Sequence, residues 1–154
     1  MWSESKSLDL LLNDIEMGCD PAIGSEQVNR FSIDCLSLIR HKLPRIAAEG
    51  LALTTEYLEG RAPLESVTDM LVKCWQYLKE NHEHAPLNDP VVSAIRAVIF
   101  PLDAQKHPEK RDIVDHLSFF LMLVNNVEPH FEEEEGLLRK HFAKCLEVPT
   151  KANQ

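Results

Sequence analysis

Apolar residues recur at steps of three and four along nearly the whole chain, and period-two alternation is almost absent, so the pattern predicts helices and no sheet. The first helix is expected over Ser5 to Met17, with a break at Asp20-Pro21 and Gly24. Ser25 is a fitting N-cap for a second helix, in which Val28, Phe31, Cys35, Leu38 and Ile39 step down one face. Pro44 ends or kinks it, because proline lacks an N–H and clashes with the preceding turn. A third helix follows from about Arg45 to Glu59, and Gly60 suits the residue after its end.

Pro63 fits the first position of the next helix, where Leu64, Val67, Met70, Leu71, Cys74, Trp75 and Leu78 form the cleanest amphipathic stripe. That stripe assigns Trp75 to the core. After the loop NHEHAPLN, Asp89 and Pro90 read as N-cap and first residue of a helix with Val91, Ala94, Ile95, Val98 and Ile99 inward. Pro101 and the polar stretch AQKHPEKRD are expected to separate it from a helix over about Arg111 to Val127. There LSFFLMLV is apolar on every side, which predicts the buried centre of the bundle. A last helix is expected from Pro129 to Leu146 with Phe131, Leu138, Phe142 and Cys145 inward, and residues 148–154 as a frayed tail. The expectation is therefore all-α: a single domain over 1–154, a bundle or short array of about six to seven helices.

Composition narrows what such a domain can do. With 154 residues and 44% apolar side chains the chain can bury a real core. Its 25 acidic and 16 basic residues leave a charge of −9, a field that repels phosphate and favours basic protein partners. The surplus is concentrated: residues 1–60 carry ten acids against five bases. No run reaches the roughly 18 apolar residues of a membrane span, and the N-terminus lacks the basic start and long apolar stretch of a signal peptide. Cys19, Cys35, Cys74 and Cys145 stand far apart with no CxxC pair, so reduced thiols and a cytoplasmic location are expected.

Candidate chemistry is sparse. There is no GxSxG elbow and no glycine cluster to cradle phosphate, so neither an enzyme nor a cofactor is expected. His130-Phe131-Glu132-Glu133-Glu134-Glu135 resembles the HFxxEE stretch of hemerythrin-like proteins, in which a histidine and a glutamate four residues later bind a di-iron centre. The resemblance would make His130 and Glu134 metal ligands. It lacks the following HxxxH pair, and His141, eleven residues on, lies roughly 16 Å along the axis. Carboxylates near a helix start meet the positive end of its dipole, which accounts for the run more simply; a contact patch is the other reading. His82-Glu83-His84 supplies two imidazoles without an evident third ligand, His116 falls on an apolar helix side, and His41 and His107 read as surface residues. Glu49, Glu56 and Glu59 mark a second acidic face, either simply solvated or a contact for a basic partner.

The succession Glu56-Tyr57-Leu58-Glu59-Gly60, Trp75, Asp89-Pro90 and Ala94-Ile95-Arg96-Ala97-Val98-Ile99, with Phe119-Phe120 and Val127-Glu128, resembles small helical immunity proteins of bacterial polymorphic toxin systems. The resemblance implies tight binding to a toxin without chemistry, a basic, nuclease-like toxin domain being the expected partner. Glu49, Glu56, Glu59, Glu132, Glu133, Glu134 and Glu135 are the candidate contacts. A hemerythrin-like metal binder and a helical adaptor for another basic protein are the alternatives.

Overall fold

The computed structural model describes residues 6–18, 25–106 and 113–147, and among them the fold is all-α, eight α-helices and one 3-10 turn with no strand. The helices are α1 (Lys6–Gly18), α2 (Ser25–Leu38), α3 (Arg45–Leu58), α4 (Leu64–His82), α5 (Pro90–Lys106), α6 (Ile113–Val127), α7 (Phe131–His141) and α8 (Ala143–Leu146). Trp2, Cys19, His107 and the tail 148–154 lie outside the described residues. No helix among them is long and apolar enough to cross a membrane.

The punctuation works as its chemistry requires. Pro44 and Pro63 hold extended backbone just before α3 and α4, so each acts one residue outside the helix. Gly60 has φ of 79°; its N–H bonds the Tyr57 carbonyl while Arg61 N–H bonds that of Glu56, closing α3 with a Schellman motif. At the start of α5 the Asp89 carboxylate accepts from the N–H groups of Val91 at 2.9 Å and Val92 at 3.1 Å.

Two expectations about the centre need correction. Pro101 does not end a helix but lies buried inside α5, where packing of Leu102 beyond it outweighs a penalty of about 3 kcal/mol for an interior proline. The hub is α5 rather than α6, since α5 packs against α2, α3, α4 and α6. Its fully buried Ser93, Ala94 and Ala97 allow close approach on several sides, while on α6 Phe119 and Met122 remain partly exposed.

The last predicted helix is two. The chain bends at Phe142 (φ −117°, ψ 31°), whose ring drops into the core against Phe31, with Phe31 in turn edge-on to Phe120. Beyond the bend, α8 packs on α1. Cys145 is disulfide-bonded, which corrects the expectation of reduced thiols at that position, while Cys35 and Cys74 are free and buried.

The α1–α8 contact leaves no room for a side chain at Gly18: a Cβ there would fall 1.8 Å from the Cys145 carbonyl oxygen. Gly18→Ala should therefore destabilise by about 1–3 kcal/mol through overpacking. Gly136, in the middle of α7, has open space around its Cβ position, so Gly136→Ala should stabilise by about 0.5–1 kcal/mol. Urea unfolding of both variants checks the pair; equal effects would refute the close approach.

Candidate protein-docking site

A half-exposed tryptophan stands where α4 meets the start of α5. In α4, at about 100° per residue, Val67, Leu71, Cys74 and Leu78 fall within a sector of about 60°, whereas Trp75 lies about 80° from Val67. The first group is buried and Trp75 is 45% exposed. This corrects the assignment of Trp75 to the core: it stands on the rim of the stripe, on the side shared by the exposed Leu64 and Val72. The Arg96 guanidinium of α5 lies over its ring, 5.2 Å from the centroid.

Trp75, Leu78, Leu87 and Val92 line an open groove of about 410 Å³, with Lys79 and Arg96 among its polar residues. The loop closing it is held in place. Ser93 Oγ donates to the Leu87 carbonyl at 2.7 Å and accepts from Asn126 Nδ2 at 3.1 Å, tying the loop to α5 and α6. His82 ends α4 with its ring against Tyr77, the centroids 5.8 Å apart. An apolar groove beside a half-exposed Trp–Arg pair makes this surface a candidate for protein contact. The arginine inside the otherwise apolar run Ala94–Phe100 was the signal in the sequence that could have located it.

The carboxylates proposed from sequence do not gather there. Glu49 and Glu56 are exposed on α3, Glu49 bonded to Arg45, and Glu59 at the end of α3 pairs with Arg61. Glu132 and Glu133 are exposed on α7, while Glu135 is half-buried and accepts from Ser7 Oγ at 3.0 Å. The two sets sit on helices that share only α2 among their main packing partners, α3 lying beside α2, α4 and α5, and α7 beside α1, α2 and α8.

Glu134 is no surface contact at all, which corrects its place among the candidate residues. Three residues after Phe131, it falls on the inner face of α7 and is fully buried. One oxygen accepts from Asn125 Nδ2 at 3.0 Å; the other has no hydrogen-bond partner. Burial pushes its carboxyl up to about 8.

His130 is the residue before α7, outside helical geometry, so the i, i+4 relation to Glu134 fails. Its ring turns to Glu128 at 2.8 Å, where His41 also arrives at 2.9 Å and Lys42 at 3.7 Å. The His130 hydrogen bond is the main cause holding the Glu128 carboxyl below its ordinary range. Among the described residues no group of three or more histidine, cysteine or carboxylate side chains could hold a metal ion.

Elsewhere, His141 bonds Asp34 at 2.6 Å, tying α7 to α2, and His116 packs against Phe100 with ring centroids 4.5 Å apart. Burial raises both free thiols, Cys74 to about 11 and Cys35 well above its ordinary value, which keeps them protonated and poorly nucleophilic. Compared with protein-family models, curated proteins and solved structures, the chain matches none.

Glu134 makes a pH prediction. Between an ordinary value of 4.5 and about 8 the unfolded chain has lost the proton that the folded chain retains. Its contribution is thus fully present below about pH 4.5, and stability falls as pH rises to about 8, by an amount on the order of a few kcal/mol. Glu134→Gln keeps the bond from Asn125 and has no proton to lose, so its stability should exceed wild type at pH 8 and converge with it near pH 4. Denaturant melts across that range decide; parallel pH profiles would show that Glu134 is solvated.

Proposed function

We propose that this chain is a non-catalytic protein-binding protein whose contact face is the Trp75 groove. The observation that carries the reading is Trp75 itself: a large aromatic left half-exposed, laid against Arg96 beside a preformed apolar groove. Leaving apolar surface in water forgoes roughly 25 cal/mol per Å² of stabilisation, and a partner that covers it recovers that energy on binding. Tryptophan and arginine are the residue types over-represented where a few side chains supply most binding energy.

The specific form we propose is an immunity protein that neutralises a toxin domain by occupying it, as the resemblance of the middle of the chain implies. A charge of −9 would draw a basic domain from a distance, and the exposed Glu49, Glu56, Glu59, Glu132 and Glu133 would contribute to that field without forming the contact. Steering then belongs to the acids and lifetime to the groove.

Because immunity proteins of polymorphic toxin systems are encoded beside their toxins, the test uses the product of the adjacent gene as partner. Trp75→Ala should weaken binding by about 2 kcal/mol or more, roughly thirtyfold, chiefly by faster dissociation. Because the side chain is half-exposed, the same change should cost less than about 2 kcal/mol of fold stability. Glu56→Lys with Glu59→Lys should instead slow association and flatten its salt dependence. Wild-type affinity in Trp75→Ala would rule out the groove as the contact face.

A further inference from the structure

We infer that the groove receives an acidic amphipathic helix of the partner, apolar side chains against Trp75 and Leu87 and a side-chain carboxylate on Arg96. The inference rests on the docking reading above and adds the chemistry of the occupant.

Charge complementarity is the first reason. Although the chain carries nine more acids than bases, the groove includes two cations, Lys79 and Arg96, and among the described residues no carboxylate pairs with either. Glu83, one turn beyond Lys79, also lines the groove without reaching it. Arg96 is only partly exposed and is held over the Trp75 ring, yet its guanidinium has no hydrogen-bond acceptor among those residues. A guanidinium already oriented, with five N–H donors and no acceptor, is prepared for a carboxylate, which it can grip by two parallel bonds. Ordering that side chain beforehand removes part of the entropic cost of binding.

The secondary structure supplies the second reason. The groove is built from α4, its following loop and α5, and the described residues contain no strand, so there is no sheet edge to hydrogen-bond an extended peptide. Recognition must run through side chains. That is how an amphipathic helix is read, by anchors one turn apart laid in an apolar groove.

Three synthetic helical peptides of about fourteen residues serve as probes, with leucine at helical spacing on one face and glutamate, lysine or glutamine on its borders. Trp75 fluorescence reports binding in a Trp2→Phe background, since the chain has two tryptophans. The leucine–glutamate peptide should bind saturably, at least about tenfold tighter than the leucine–lysine peptide. Lys79→Glu with Arg96→Glu should invert that preference, a gain that disruption of the fold cannot produce. Equal binding of all three peptides, no binding of the acidic one, or a preference unmoved by the double reversal would overturn the inference. If the peptides fail while the adjacent gene's product still depends on Trp75, the acidic occupant falls and the docking reading stands. Loss of that dependence removes the docking reading itself.

Discussion

Helix α5 is the constraint on which the arrangement depends, because four other helices must reach it. Close approach from several directions is possible only where side chains are small, and α5 supplies Ser93, Ala94 and Ala97 at full burial. Ser93 contributes twice. Its small size admits its neighbours, and its hydroxyl joins the α4–α5 loop to Asn126 of α6. The groove is thus an extension of the core, with walls fixed by the same residues that pack the centre.

The polar groups taken inside follow a different logic. Thr54 bonds back to the Gly50 carbonyl and Ser32 to that of Val28, so these hydroxyls are satisfied within their own helices. Glu134 differs: one oxygen is paired to Asn125, while the other, like Asn29 Oδ1 and Ser118 Oγ, has no hydrogen-bond partner among the described residues. A neutral carboxyl is tolerable there, whereas an ionised one would bring an unpaired charge into the core beside Glu133 and Glu135. Docking of α7 thereby becomes sensitive to proton activity.

The exposed acids and the groove are separated on this molecule. The exposed acids on α3 and α7 are part of the surplus behind the −9 charge, while the groove combines apolar surface with two cations that pair with no carboxylate among the described residues. Under the proposed reading, such a division would let one protein attract a basic partner overall and still select an acidic feature at close range, because screening confines each local pair to about a Debye length. It also protects the exposed tryptophan, since Arg96 covers one face of an indole that would otherwise present a bare apolar surface.

Much of the fold could be read from the chain by itself. Stepping of apolar residues by three and four sets helix identity, and Gly60, Pro63 and Asp89-Pro90 mark boundaries because their backbone chemistry acts locally. What the chain left undecided depends on neighbours distant in sequence. Pro101 stays inside α5 because tertiary burial outweighs a local penalty, and Phe142 breaks the last helix because its ring is claimed by Phe31 on α2. The site divides in the same way. Exposure of Glu49, Glu56, Glu132 and Glu133 follows from helical period, but the period places Trp75 at the edge of a face, where it does not decide between core and solvent, and Glu134 on an inner face that its charge argues against. A side chain about 80° off the centre of a stripe is covered or bare according to which helix packs beside it. For Trp75 that helix is α5, which lays an arginine on the ring instead of a leucine; Glu134 instead meets Asn125 of α6 and is buried.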